Sequence, residues 1–259
     1  MSGKSVIDIF REIKRGYYGS RKNVFDAEHY FFRWYRPVSF YPTAVLIKHG
    51  VSANAVTGFG AICLLVAFAM LATGQLMLGA LLYLFAYLID FMDGNIARYA
   101  GHPTFFGKMI DGLVDSLTFL LFMALALGNA RYGNPVFGAS VELFLGVATA
   151  FGFLFRAYFY VRLTFILSQV PQGNVGSEGE ASAGQGGVGS PAVTAARPLF
   201  LRYGKKFYFG LISGMPVLLV LAVLLRAVSV YLAVYFALFV LATLFEVVYG
   251  LVRVRRKDA

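Results

Sequence analysis

The run Leu78-Gly79-Ala80-Leu81-Leu82-Tyr83-Leu84-Phe85-Ala86-Tyr87-Leu88-Ile89-Asp90-Phe91-Met92-Asp93-Gly94-Asn95-Ile96-Ala97-Arg98 decides the fold. Its first part is apolar and carries no charge. Its end brings two aspartates, a glycine and an arginine. A membrane-crossing helix needs about 20 mostly apolar residues, and this run is one of six candidates, at roughly 53–73, 78–98, 106–128, 139–161, 208–227 and 229–250. A tight turn at Thr73-Gly74-Gln75 separates the first two, Tyr99 to Thr104 joins the second to the third, and a break near Arg226–Ser229 separates the last two. The predicted fold class is all-α: a polytopic membrane protein with six transmembrane helices.

The composition of the 259 residues agrees. Apolar residues make up 59% and charged residues 14%, against roughly 45–50% and about 25% in a soluble domain. This excludes a disordered chain, a coiled coil and an ordinary soluble enzyme. The net charge is +10. In a nucleic-acid binder such an excess covers a polar surface. Here it falls at membrane edges, so the expected partners are anionic lipid headgroups or phosphorylated substrates, and no nucleic acid. Cys63 is the one cysteine and sits in an apolar run, so no internal disulfide or thiol metal site is expected.

Three regions follow. Residues 1–52 form an N-terminal juxtamembrane region. It is rich in basic and aromatic residues and unlike a secretory signal. Within it Val6, Ile9, Phe10 and Ile13 recur at helical spacing, which suits a helix lying in the membrane interface or one packed on the protein. Residues 53–250 form the transmembrane domain, interrupted at about 171–198 by a Gly-, Ser- and Ala-rich stretch that reads as a flexible cytoplasmic loop. Residues 251–259 are a basic tail. With the N-terminus in the cytoplasm, 21 of the 23 Lys and Arg fall on the cytoplasmic side, and only Arg131 and Arg226 lie opposite. The positive-inside rule therefore puts both termini in the cytoplasm.

Seven of the 13 acidic residues lie in polar ends and loops, and Glu142 and Glu246 stand singly near span ends. The other four, Asp90, Asp93, Asp111 and Asp115, cluster where the second span ends and the third begins. A charge at the centre of a lone helix costs at least about 2.5–3.5 kcal/mol on insertion scales. Pairing with Arg98 and Lys108 would compensate two of the acids. The i, i+3 and i, i+4 spacings project each pair from one helix face, and the short connection makes the helices antiparallel neighbours. Converging carboxylates repel unless cations lie among them. With no His or Cys in the set, hard divalent ions such as Mg²⁺, Mn²⁺ or Ca²⁺ fit. Such a centre binds and polarises phosphates. Gly94 and Gly107 lie close by, where a missing side chain admits a substrate, and Arg98 extends the face as a phosphate clamp. His102 reads as a turn residue.

Asp90, Asp93, Gly94, Ala97, Arg98, Gly107, Asp111 and Asp115 fit the pattern Asp-x2-Asp-Gly-x2-Ala-Arg-x8-Gly-x3-Asp-x3-Asp without a gap. This resembles the full signature of the CDP-alcohol phosphatidyltransferase family. Upstream, Val51 to Thr57 is similar to the family's Pro-Asn-x-hydrophobic-Thr segment, with Ala53 where proline is usual. The resemblance implies a transferase in which an acceptor hydroxyl attacks a CDP-linked donor and CMP leaves. It implies Asp90, Asp93 and Asp111 as ligands of a divalent metal, two Mg²⁺ or Mn²⁺ ions. Asp115 would be ligand, catalytic base, or both. Gly94, Ala97, Gly107 and Asn54 would line the CDP site, with Arg98 on its phosphates. It also implies a homodimer.

Six-span members of this size mostly use CDP-diacylglycerol with a small polar acceptor, which makes that the expected chemistry. Another CDP-linked alcohol, with a lipid or a phosphorylated polyol as acceptor, is the alternative. Arg156, Arg162, Lys205 and Lys206 lie near the cytoplasmic ends of the fourth and fifth spans. There they bind an acceptor phosphate or snorkel to headgroups. Two rival classes are a metal-dependent lipid phosphatase and a membrane transporter. Transporters place charges near the midplane and often show inverted repeats, whereas these acids collect at one face.

Overall fold

In hydrocarbon each backbone polar group must find a partner within its own structure, and this chain meets the demand with helices. The computed structural model describes residues 4–19, 31–101, 104–169 and 199–258, and every regular element among them is helical. In chain order these are α1 (Val6–Tyr18), α2 (Phe32–Lys48), α3 (Ala53–Ala72), α4 (Leu76–Tyr99), α5 (Phe105–Ser116), α6 (Phe119–Tyr132), α7 (Ala139–Gln169), α8 (Leu199–Leu224) and α9 (Val228–Asp258). The Gly-rich stretch 171–198 and His102 lie outside the described residues.

Five stretches are long and apolar enough to cross a membrane: Ala53–Ala72, Leu76–Tyr99, Phe105–Tyr132, Ala139–Ile166 and Val228–Val252. They match five of the six expected spans. The sixth falls on α8, where the described apolar part, Gly210–Leu224, is shorter than a full span. The third span differs from the expected continuous helix, because it breaks at Leu117–Thr118 into α5 and α6. Tight i to i−3 bonds run from Leu117 N–H to Val114 O and from Thr118 N–H to Asp115 O, at 3.0 and 3.1 Å. The Ser116 hydroxyl bonds back to Leu113 O at 2.6 Å. Ser and Asp near such a point compete locally for backbone groups and loosen an α-helix.

Helices α3 and α4 form the central antiparallel pair. Gly74 turns the chain between them with φ of 84°, and a Cβ there would stand 2.6 Å from the Tyr132 ring. Small residues let the two helices approach closely: a Cβ on Gly60 would meet Ile89 at 3.0 Å, and one on Gly79 would meet Leu71 at 2.7 Å. Helices α5 and α6 also rest on α3, α6 and α9 flank α7, and α8 lies against α4 and α9.

The N-terminal region builds a platform beside α4. A capping box between Ser5 and Asp8 starts α1, whose Ile9 and Ile13 are buried. Its aromatic side packs on α2, with Phe10 and Tyr41 centroids 6.4 Å apart and Tyr17 and Phe40 5.3 Å apart. This packing meets the second of the two expectations for the helix and is compatible with the first. Helix α2 rests in turn on α4. Glu12 accepts hydrogen bonds from Lys4 at 2.7 and 2.8 Å and from the Tyr99 hydroxyl at 2.9 Å. These bonds, that of Lys4 foremost, hold the Glu12 carboxyl below the usual range.

At the opposite end of the bundle Glu142 is fully buried. Its carboxylate accepts from Asn129 Nδ2 at 2.5 Å and from the Ser229 hydroxyl. Ser229 also accepts from Val136 N–H at 3.1 Å. One carboxylate therefore ties together α6, α7 and α9. Glu142→Ala removes the acceptor of two buried donors, each worth about 1–3 kcal/mol when stranded. The expected result is a thermal-unfolding midpoint several degrees lower in detergent, with a smaller loss for Glu142→Gln, which keeps a polar partner. An unchanged midpoint for Glu142→Ala would refute the lock.

Candidate functional site

The acids are delivered by two helices that share a support. Asp90 and Asp93 lie on the last turns of α4, and Asp111 and Asp115 on α5, with α3 against both. Helix α5 begins at Thr104, whose hydroxyl accepts from Gly107 N–H at 3.0 Å, a standard N-cap. Asp90, Asp93 and Asp111 each place a carboxylate oxygen within 4.8 Å of the other two. Asp93 is buried, and the other two are half-buried. Asp115 is not part of this trio. It joins Asp90 and Asp93 instead in lining a cavity of about 230 Å³.

The cavity's lining is mixed. Thr57, Asp90, Asp93 and Asp115 give it polar groups, with Tyr83 and Tyr87 among them. Leu64, Phe153, Ile212 and Met215 are among its apolar walls. Five elements contribute, α3, α4, α5, α7 and α8, so a site written in 26 residues of sequence is completed by residues far along the chain.

The trio fits a hard divalent cation. Its donors are all carboxylate oxygens at short mutual range, the set that Mg²⁺, Mn²⁺ and Ca²⁺ prefer. Asp93 is further oriented by Thr57, whose hydroxyl donates to Oδ2 at 2.7 Å. Among the described residues the trio makes no ion pair. Arg98 donates to Asn95 Oδ1 at 2.6 Å, and the Lys108 ammonium lies 6.0 Å from the Phe105 ring centre.

The other sequence-derived candidates fall as follows. Arg98 folds back over Gly94, where a Cβ would stand 3.3 Å from Nη1. Gly107 is flanked by Thr104 and Asn54, since a Cβ there would meet their oxygens at 3.0 and 3.3 Å. Asn54, Gly107 and the start of α5 are thus one neighbourhood, and Ala97 is half-buried on α4. Arg156 forms a two-pronged pair with Glu246 across α7 and α9, at 2.9 and 2.7 Å. Arg162 is exposed, with its guanidinium 5.9 Å from the Phe165 ring centre. Lys205 and Lys206 lie on α8, in a part whose side chains are outside the described set. The sequence reading quoted Thr57 without giving it a task, and it missed Tyr83, Tyr87, Phe153 and Met215. No local pattern marks those four, because only the fold brings them to the acids.

A family model described as CDP-alcohol phosphatidyltransferase matches residues 51–239. An uncharacterized protein of Aquifex aeolicus is 35% identical over 106 residues, 40% of this chain and 53% of that protein. The CDP-diacylglycerol–glycerol-3-phosphate 3-phosphatidyltransferase of Rickettsia bellii is 54% identical over 41 residues, 16% of this chain and 23% of that enzyme. The chain thus spans about half the length of the first relative and less of the second.

Thr57→Val keeps the shape of the side chain and removes the bond to Asp93. Loss of a group that orients a ligand typically costs 10–100-fold in metal affinity. Calorimetric titration with Mn²⁺ should show a loss of about tenfold or more; an unchanged affinity would mean that Asp93 needs no such support.

Proposed function

The chain belongs to the CDP-alcohol phosphatidyltransferase family, and from that premise we propose that it transfers the phosphatidyl group of CDP-diacylglycerol to the hydroxyl of a small polar acceptor, releasing CMP. One observation carries the reading: two of the trio's carboxylates, Asp90 and Asp93, line a cavity whose other walls are largely apolar. A donor with a charged head and hydrocarbon chains matches that profile. The name of the Rickettsia bellii relative supports the same donor and favours a phosphorylated polyol as acceptor.

On this reading Asp90, Asp93 and Asp111 hold divalent metal, Mg²⁺ or Mn²⁺, with Asp115 at its edge. When bound, the metal neutralises the donor's pyrophosphate and stabilises the leaving CMP. Arg98 meets the phosphates from the cytoplasmic side, while Gly94, Ala97, Gly107 and Asn54 leave room for the nucleotide. The acceptor oxygen bonds to the phosphorus that carries diacylglycerol, and the bond from that phosphorus to the CMP oxygen breaks. The hydroxyl proton passes to Asp115 and then to water. Asp115 suits this task because it borders the cavity without belonging to the trio. Arg162, Lys205 and Lys206 are the cations we assign to an acceptor phosphate or to anionic headgroups. Arg156, held by Glu246, is assigned with them. The distribution of Lys and Arg puts the site and both termini at the cytoplasmic face, and the homodimer implied by the family is part of the proposal.

Purified protein incubated with labelled CDP-diacylglycerol should release CMP only when an acceptor alcohol and a divalent cation are present, and chelation should stop it. Phosphatidic acid formed without an acceptor would identify a hydrolase instead. Asp115→Asn should retain donor affinity while turnover falls by roughly 10²–10⁴-fold, the usual contribution of a general base. If that variant loses donor binding as fully as Asp90→Asn does, Asp115 is chiefly a metal ligand and the base assignment fails.

A further inference from the structure

The last turns of α4 carry a second polar chain, which runs from Arg98 back to α2. Arg98 Nη2 donates to Asn95 Oδ1 at 2.6 Å. Asn95 Nδ2 donates to Ser39 Oγ at 2.9 Å, and Ser39 Oγ donates to the Arg36 carbonyl at 2.8 Å. Every hydrogen in the series points the same way, from the guanidinium toward the backbone of α2. The direction fixes the amide of Asn95. If it were flipped, its nitrogen would face a guanidinium that can only donate, and its oxygen would face a hydroxyl whose hydrogen is already used. Asn95 and Ser39 are 5% and 0% exposed, while Arg98 is exposed. The series therefore runs from buried, fixed backbone to an accessible cation.

We propose that Ser39 and Asn95 are positioning residues that hold Arg98 over Gly94, ready for the phosphates of a CDP-linked donor. This rests on the reading of the site given above, in which Arg98 meets those phosphates. A long arginine side chain loses much rotamer freedom when it grips a ligand, and holding it beforehand removes part of that cost. The contact to the pyrophosphate exists in both the bound donor and the transition state, so its loss should raise KM more than it lowers kcat. Asn95 fills a position that the family pattern leaves open, and Ser39 lies on a helix outside the candidate spans. A juxtamembrane helix would thereby set the enzyme's affinity for its donor.

The test is a double-mutant cycle on the full chain in detergent, read by calorimetric titration with CDP-diacylglycerol at saturating Mg²⁺ and by the split between KM and kcat. Asn95→Leu should weaken donor binding roughly 3- to 10-fold, Ser39→Ala should act in the same direction, and Mn²⁺ affinity should stay unchanged. On an Arg98→Ala background neither substitution should change donor affinity by more than about twofold, because residues that act through one another are not additive. Equal losses on both backgrounds, or no loss on either, would overturn the relay. Should Asn95→Leu fail to fold, Ser39→Ala carries the cycle alone. A wild-type chain that binds no CDP-linked donor would sink the functional reading and the relay together. A binding wild type with an additive cycle would remove only the relay.

Discussion

Three carboxylates held within 4.8 Å of one another at the edge of a membrane domain are the constraint that the remaining structure serves. At an effective dielectric of about 20, two unit charges at that distance repel by roughly 3 kcal/mol, and three such pairs compete with the few kcal/mol by which a domain is stable. A backbone free to relax would splay the two helices apart. It is prevented from doing so by α3, which packs on α4 through Gly60 and Gly79, supports α5, and gives Asp93 the Thr57 hydroxyl. The scaffold thus keeps the acids close, and among the described residues no ion pair offsets them, a condition that favours a divalent cation.

Rigidity has been placed at both ends of the bundle by different means. Away from the acids, Glu142 gathers α6, α7 and α9 through Asn129 and Ser229. Beside the acids, the platform of α1 and α2 grips the end of α4 twice, through Glu12 with Tyr99 and through Ser39 with Asn95. These grips bracket Arg98. The end of the motif helix is therefore anchored by the two helices that precede the first apolar span.

Much of this was legible in the sequence, and what was not has physical reasons. Hydrophobic runs betray helices that must satisfy themselves in hydrocarbon, so five of the expected spans appear where expected. The aspartates were readable because charges in apolar helices are rare and their spacing puts them on one face. Helix α2 was harder to see: Pro37 and Pro42 lie inside it, where proline argues against a helix, and its aromatic and basic residues show no simple stripe. The interruption after Ser116 turns on local hydroxyl and backbone bonds that hydropathy does not weigh. Arg156 reads as a cation for an acceptor phosphate or a headgroup because its carboxylate partner, Glu246, lies 90 residues away. Contacts of that range are products of the fold, and no local pattern announces them.

The cavity adds what the motif alone lacks. Carboxylates bind phosphate through metal in many settings and do not by themselves distinguish a soluble donor from a lipid. The lining bears on that choice: beside the acids and Thr57 stand Tyr83, Tyr87, Leu64, Phe153, Ile212 and Met215. Water against the apolar walls would lose hydrogen bonds that they cannot return, whereas hydrocarbon loses nothing there. On the proposed reading, a molecule joining a pyrophosphate to acyl chains uses both kinds of wall. Thr118, at the break between α5 and α6, lines the cavity as well, so the interruption falls at the site itself, between the helix that carries Asp111 and Asp115 and the one that packs against α3 and α7.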